Sequence, residues 1–216
     1  MIADNLINPQ AEAYADNFTS PEGTILRKIN KETTKHHQQA HMLSGHVQGK
    51  LLSFISIILQ PKYVLEIGTL TGYSALCLAE GLQKDGELHT IELREEDADI
   101  ALKNFKAAEK HNLITLHRGK AMEILPTLPY LWDLVFIDAD KTGYIEYYEK
   151  IVPRLSDKGI IIADNVLFHG QVLQQPPKGK NAIAIHEFNK HVLNDERVEQ
   201  VMLTVRDGLL IIKKKQ

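Results

Sequence analysis

The chain has 216 residues, of which 44% are hydrophobic and 25% charged, and its formal net charge at pH 7 is -3. This is typical of one globular domain with a sizeable core and argues against a broad nucleic-acid-binding or membrane-binding surface. Residues 1–10 lack the pattern of a secretory signal, and the apolar stretch 51–59 is too short to span a bilayer. The single cysteine, Cys77, excludes an internal disulfide, fits a reducing cytoplasm and is expected in the core.

The first 60 residues are predicted to be helical. Residues 19–22 (Thr-Ser-Pro-Glu) indicate a helix start, and one apolar stripe at helical spacing is formed by Leu51, Leu52, Ile55, Ile58 and Leu59. His37 and His41 are spaced like residues on one helix face, which we interpret as solvated or facing a partner rather than as a zinc site. We expect residues 1–60 to be a helical cap and residues 61–216 an α/β core, within one domain (1–216).

From residue 62 onward, short apolar strands alternate with helices. Strands are predicted at 63–67, 88–91, 114–116, 134–137 and 160–163. This alternation indicates a doubly wound α/β sheet, and the fully apolar runs 134–137 and 160–163 are expected to be central strands. Residues 198–212 read instead as a β-hairpin with an Asp-Gly turn. A terminal antiparallel hairpin in a seven-stranded sheet is typical of the class I methyltransferase fold, whereas a dinucleotide-binding sheet is parallel throughout.

A glycine-rich turn follows the first predicted strand, and it contains Glu66, Gly68 and Gly72. Ligands of open α/β sheets bind beyond the carboxyl ends of the strands, and glycine lets a backbone approach a ligand closely. Glu92 ends the second strand, 20 residues after Gly72, where an acid can accept hydrogen bonds from a ribose diol.

Three ligands compete for this turn. A phosphate-binding loop needs four residues between its glycines, followed by lysine, and a dinucleotide fingerprint needs glycine at the position of Leu70. An adenosyl ligand without a pyrophosphate remains, and Glu66 could lie near its cationic part. The alternative is a tight structural turn beside a surface acid.

Two predicted central strands end in acids. Asp138 follows one, and Asp164 and Asn165 follow the other. Neighbouring strands lie about 4.8 Å apart, so these side chains converge if the strands are adjacent. Two carboxylates at such a short distance repel each other unless a cation lies between them. Oxygen ligands favour Mg²⁺ or Mn²⁺. The alternative is that these residues are ordinary caps and turn formers.

Three segments together resemble the cation-dependent O-methyltransferases, the family of caffeoyl-coenzyme A and catechol O-methyltransferases and their small bacterial relatives. They are residues 65–74, residues 137–141 and residues 163–165, and the resemblance extends from about Met42 to the Asp207-Gly208 turn. It implies an S-adenosylmethionine (SAM)-dependent enzyme with a divalent cation, Mg²⁺ or else Mn²⁺ or Ca²⁺. Relatives are commonly dimers.

The resemblance also implies roles for individual residues. Asp138, Asp164 and Asn165 would bind the metal, and Lys141 matches the lysine treated as general base in the catechol branch. The resemblance also implies that Asp138 is a catalytic residue and contacts the methyl donor. The other residues that the resemblance assigns to the methyl donor are Met42, Ser44, Glu66, Gly68, Thr69, Ser74, Glu92, Ala121 and Asp140.

The expected acceptor is a small aromatic molecule with vicinal hydroxyls. A bound metal would chelate both and acidify one, and Lys141 would take the proton, unless it is only a surface lysine at a helix start. Residues 44–49 lack the acidic pair of the plant enzymes, and the loop 168–180 also differs from theirs, which argues against a coenzyme A ester. Hydroxylated tRNA is the alternative acceptor, which the negative net charge of the chain disfavours.

A cytoplasmic homodimer with an interface in residues 1–60 is expected, because residues 42–59 carry apolar side chains on more than one helix face.

Overall fold

The computed structural model describes residue 6 and residues 8–215. Three helices precede the first strand, and strands and helices then alternate as predicted. The helices are α1 (Pro9–Phe18), α2 (Thr24–His36), α3 (His46–Leu59), α4 (Tyr73–Leu78), α5 (Glu95–Ala107), α6 (Ala121–Ile124), α7 (Tyr144–Ile151) and α8 (Lys180–Leu193). The strands are β1 (Tyr63–Ile67), β2 (Glu87–Glu92), β3 (Ile114–Arg118), β4 (Trp132–Ile137), β5 (Leu155–Asp164), β6 (Val198–Leu203) and β7 (Leu209–Lys214).

The strands form a seven-stranded mixed sheet, which confirms the predicted fold class. Residues 14–128 form one compact unit, and residues 129–216 make up most of a second. In the 14–128 unit the order is β3-β2-β1 and both pairings are parallel. In the other unit the order is β4-β5-β7-β6, where β4 and β5 are parallel and β7 is antiparallel to both of its neighbours. The single-domain boundaries expected from the sequence stay a prediction.

Helix α3 buries only part of the apolar stripe seen in the sequence, because Leu52 is fully buried and Ile58 is exposed. Its buried residues are Gln48, Gly49, Leu52, Ser53 and Ser56, while Ile58 is 82% exposed. Three of these five are small (Gly49, Ser53 and Ser56), because the helix lies very close to its neighbours. A Cβ added to Gly81 would be only 2.1 Å from the carbonyl carbon of Ser56, so no larger residue fits there.

Two further sequence expectations have clear outcomes. The helix start predicted at residues 19–22 is wrong, because α1 ends at Phe18 and α2 begins at Thr24. Glu22 is used instead in tertiary contacts, since its carboxylate accepts hydrogen bonds from Tyr73 (2.5 Å) and Asn30 (3.1 Å). Cys77 is buried, as predicted, and burial raises the pKa of its thiol.

One segment, Ala40–Leu59, is long and apolar enough to cross a membrane by length and composition. In the structure this segment is not one helix, because a short 3₁₀ turn at Ala40–Met42 precedes α3. Gly45 separates the two with a φ of 76°. The 14 residues of α3 span about 21 Å, less than the roughly 30 Å of a bilayer core. The segment is therefore weak evidence of a membrane span.

Candidate active site

The glycine-rich turn after β1 is bound to the carboxylate that ends β2. The backbone N–H groups of Thr69 and Leu70 donate to Oε2 of Glu92, at 3.1 and 2.8 Å. Arg94 donates its backbone N–H to Oε1 of the same residue at 2.9 Å. Gly68 supports this geometry with a φ of 99°, which is readily accessible only to glycine. The sequence-predicted ribose acid and donor turn are thus brought together by direct hydrogen bonds.

A second chain of hydrogen bonds lies beneath the turn. Thr90 on β2 donates its hydroxyl to Oε2 of Glu66 at 2.5 Å, and the hydroxyls of Thr69 and Thr90 are also 2.5 Å apart. Since the hydrogen of Thr90 goes to Glu66, Thr69 must be the donor in the second bond. Glu66 is completely buried, so these hydrogen bonds hold its carboxylate in one position near the end of β1.

Near the turn, Asp97 on helix α5 binds Arg94 and also His37, a histidine expected from the sequence to be solvated or partner-facing. Asp97 accepts a hydrogen bond from Nε2 of His37 at 2.7 Å and forms an ion pair with Arg94, whose Nη2 lies 2.5 Å from Oδ2. The Gln39 N–H donates to Nδ1 of His37 at 3.1 Å, which assigns the proton of a neutral ring to Nε2. The expectation of a solvated or partner-facing His37 is wrong, because its side chain is only 13% exposed and is held by Asp97.

Four more residues assigned to the donor lie in the same unit: Met42, Ser44, Ser74 and Ala121. Ser44, Ser74 and Ala121 are buried, and Ala121 is the first residue of α6. Met42 ends the 3₁₀ turn before α3 and is 42% exposed. Their roles in donor binding stay predictions, as does that of Gly68.

In the other unit, Lys141 bridges two of the three predicted metal ligands. Its ammonium donates to Oδ1 of Asp138 at 3.0 Å and to Oδ1 of Asn165 at 2.6 Å. A third bond goes to the Tyr144 hydroxyl at 2.8 Å. The expectation that the acid-tipped ends of β4 and β5 converge is therefore confirmed by the shared ammonium.

Tyr144 fixes this ammonium to both strands. Its hydroxyl donates to the carbonyl oxygens of Ile137 (3.2 Å) and Asp164 (3.0 Å), the last residues of β4 and β5. Burial by itself would lower the pKa of Lys141, but Tyr144, Asp138 and Asp164 outweigh it and raise the pKa above its usual range. Lys141 is therefore an ammonium at neutral pH. The alternative of a surface lysine at a helix start is wrong, because its side chain is only 11% exposed.

Asp140, which the resemblance assigns to the methyl donor, is exposed, and its side chain binds Tyr147 and Thr142 instead of Lys141. Its Oδ1 accepts a hydrogen bond from the Tyr147 hydroxyl at 2.5 Å, and its Oδ2 accepts one from Thr142 at 3.2 Å. Burial, followed by the bond to this carboxylate, raises the pKa of Tyr147. A contact of Asp140 with the donor stays a prediction.

The oxygen donors at this sheet end suit a hard cation. Asp138 and Asn165 already direct an oxygen each at one ammonium, while Oδ1 of Asp164 accepts the Asn165 N–H at 2.6 Å. Within residues 6 and 8–215, no group of three or more His, Cys, Asp or Glu side chains could hold a metal ion. The set that fits therefore depends on the Asn165 amide as its third member.

The hairpin turn between β6 and β7 adds a residue that the sequence reading treated only as a turn former. Asp207 accepts a hydrogen bond from Nδ2 of Asn165 at 3.3 Å and from the His169 N–H at 2.5 Å. The Asp-Gly pair was the available signal, but nothing in the sequence shows that its carboxylate reaches a segment about 40 residues earlier.

The chain is similar in sequence to known O-methyltransferases. A family model described as O-methyltransferase matches residues 16–215. The catechol O-methyltransferase of Niastella koreensis is 42% identical over 207 residues, which cover 93% of this chain and 92% of the relative. The caffeoyl-CoA O-methyltransferase of Stellaria longipes is 29% identical, over 89% of this chain and 84% of the relative.

The chain belongs to the O-methyltransferase family. The crystal structure of the methyltransferase PaMTH1 from Podospora anserina, bound to SAH, superposes with a TM-score of 0.89 at 29% identity. The alignment covers 96% of this chain and 94% of that structure. This O-methyltransferase therefore has the class I fold and is a SAM-dependent enzyme, as the sequence predicts.

Proposed function

We propose that this methyltransferase transfers the methyl group of SAM to one of two vicinal hydroxyls on a small aromatic acceptor, using a divalent cation, in the cytoplasm. The observation that carries the proposal is the position of the Lys141 ammonium. It bridges oxygens of Asp138 and Asn165, so these residues already hold one positive charge. The catechol O-methyltransferase name of the 42%-identical relative supports the acceptor class.

Asp138, Asp164 and Asn165 would hold the cation. When bound, a divalent ion supplies Lewis acidity and a template for two adjacent oxygens. Mg²⁺ is the expected ion, because the donors are carboxylate and amide oxygens, and Mn²⁺ and Ca²⁺ accept the same donors.

The turn after β1 would hold the donor. Glu92 keeps Thr69 and Leu70 in place through their N–H groups, and each carboxylate oxygen can accept more than one hydrogen bond. It can therefore accept ribose hydroxyls without releasing the turn. The remaining donor contacts proposed are those of Met42, Ser44, Gly68, Ser74, Ala121 and Asp140, as implied by the family resemblance.

Lys141 would move the proton of the reacting hydroxyl. In this structure its amine is fully engaged as a donor, so it cannot accept a proton. Its function as a base is proposed for the state in which Asp138 and Asn165 bind the metal. Tyr144 would keep the amine beside the strand ends in that state, since its hydroxyl is fixed to both strands.

The decisive experiment is methyl transfer from radiolabelled SAM to a catechol, a hydroxycinnamate, a coenzyme A ester and undermethylated tRNA, with and without EDTA. We expect turnover of the catechol or hydroxycinnamate, abolished by EDTA and restored by excess Mg²⁺. Full activity after exhaustive chelation would contradict the cation. Labelling of tRNA alone would contradict the acceptor class.

We also propose that the enzyme is a two-fold symmetric homodimer. Phe54, Ile57 and Ile58 on α3 are 53%, 48% and 82% exposed, so the described residues leave this apolar face uncovered. Asp16 of helix α1 binds His46 at the start of α3, but α1 has no buried residues and these three side chains stay exposed. Light scattering at micromolar concentration should give about twice the 24.4 kDa of one chain. Ile58→Glu should shift the mass toward one chain, whereas Ile183→Glu on α8 serves as the control.

A further inference from the structure

We infer that Asp207 is a positioning residue that turns the carbonyl oxygen of the Asn165 amide toward the cation. The inference rests on the divalent-cation site proposed above. Asp207 lies in the turn between β6 and β7, and its side chain is 13% exposed. It is not one of the residues expected to touch the metal, and its side chain instead contacts the predicted ligand Asn165.

The Asn165 amide lies between two groups of opposite hydrogen-bonding character. Its Oδ1 accepts from Nζ of Lys141 at 2.6 Å, and its Nδ2 donates to Oδ2 of Asp207 at 3.3 Å. An ammonium can only donate and an ionised carboxylate can only accept. Only one of the two amide orientations satisfies both partners, so Asp207 selects the orientation that presents oxygen to a cation.

The same aspartate also holds the backbone that carries Asn165. Its Oδ1 accepts the His169 N–H at 2.5 Å, and its carbonyl oxygen accepts the Leu167 N–H at 2.9 Å. Asn165, Phe168 and His169 have φ values of 57°, 42° and 52°, in the left-handed region that costs energy for residues with a Cβ. Such conformations persist only where surrounding bonds fix them. Asp207 supplies two of those bonds.

The test is Asp207→Asn in the full-length enzyme, with Asp157→Asn as the matched control. The new amide can keep its oxygen on the His169 N–H but then presents its NH₂ group to Nδ2 of Asn165, which favours flipping of the Asn165 amide. Asp157 is exposed near the start of β5, so its substitution removes the same charge without touching the loop. Mn²⁺ affinity is measured by electron paramagnetic resonance, without methyl donor or acceptor, and thermal unfolding is recorded alongside.

We expect Mn²⁺ to bind about 10- to 100-fold more weakly to Asp207→Asn than to wild type, the usual effect of losing a residue that orients a metal ligand. Asp157→Asn should bind like wild type, and both variants should melt at similar temperatures. If Asp207→Asn proves unstable, Asp207→Ser replaces it, because a hydroxyl can still accept the His169 N–H. The same loss of Mn²⁺ affinity is expected.

Equal Mn²⁺ affinity in wild type and variant would overturn the inference and leave the proposed function standing. A wild-type enzyme that binds no Mn²⁺ would instead overturn the proposed cation site. The orienting role is then tested without metal, from the side-chain amide NMR signals of Asn165, which are identified by their loss in Asn165→Asp. A shift of these signals in Asp207→Asn supports the role, and unchanged signals overturn it.

Discussion

The turn after β1 and the ends of β4 and β5 stabilise their carboxylates in different ways. Glu92 is hydrogen-bonded by three backbone N–H groups, which are neutral donors fixed by the fold itself, and Nε of Arg94 lies farther away, 3.9 Å from Oε1. Asp138 is instead bound by the ammonium of Lys141, which also takes an oxygen of Asn165. The first arrangement needs no added ion, whereas the second depends on a positive charge within reach.

This difference matters for how each region can recognise a ligand. A carboxylate held by fixed backbone dipoles is preorganised, so it can accept further hydrogen bonds without rearrangement. Carboxylates held by a side-chain ammonium can exchange that partner for a stronger cation. We therefore expect variants of the first region to change donor affinity and variants of the second to change turnover.

The largest expected effect is that of Asp164→Ala. Loss of a predicted metal ligand should lower kcat on the order of 1000-fold, because Lewis-acid stabilisation contributes several kcal/mol. Donor affinity, measured by calorimetry with SAM, should change little. Asp157→Ala on the same strand is the control, and thermal unfolding checks that the buried Asp164 site still folds. An equal loss of donor affinity would break the comparison between the two regions.

The next effect is that of Glu92→Ala on donor binding. We expect the affinity for SAM to fall by about 1.5–3 kcal/mol, the range for a hydrogen bond to a charged group, or roughly 10- to 150-fold. Glu92→Gln should lose less, because both turn N–H groups share Oε2 and an amide oxygen in that place can still accept them. Glu96→Ala, an exposed acid on α5, is the control. An unchanged dissociation constant in Glu92→Ala would move the ribose elsewhere.

The sequence was informative where short segments determine the structure. The strand positions follow from short apolar runs, and the turn after β1 follows from Gly68 and Gly72, which both have positive φ. The convergence of Asp138 and Asn165 also follows, because adjacent parallel strands end at one sheet edge.

Contacts between distant residues were not predictable in the same way. Asp207 reaches Asn165 only because β7 pairs with β5, in the register Leu209↔Asp164, which no local pattern encodes. The apolar pattern of α3 does not show that Ser56 faces inward, because that position depends on close packing against Gly81, a distant residue. His37 was mispredicted because its partner lies 60 residues away.

The smallest expected effect is a pH dependence of stability that originates in the 14–128 unit. Nδ1 of His89 and Nε2 of His117, on β2 and β3, are 3.0 Å apart. Burial lowers the pKa of both residues, and the charge of His89 lowers that of His117 further. Among the described histidines, the third with a shifted pKa is His46. Its bonds to Ser20 and Asp16 outweigh burial and raise that pKa.

The signs of these shifts are opposite. An unfolded histidine has a pKa of about 6.5. Above that pH, His89 and His117 are neutral in the folded and in the unfolded chain, so they do not lower the free energy of unfolding. As the pH falls below this value the unfolded chain binds protons that the folded pair resists, so the free energy of unfolding decreases. Protonation of His46 acts in the other direction. Denaturant unfolding between pH 8 and pH 5 should therefore show a shallower acid loss in His117→Gln and a steeper one in His46→Gln. Identical pH profiles in both variants would mean that the acid response arises outside these histidines.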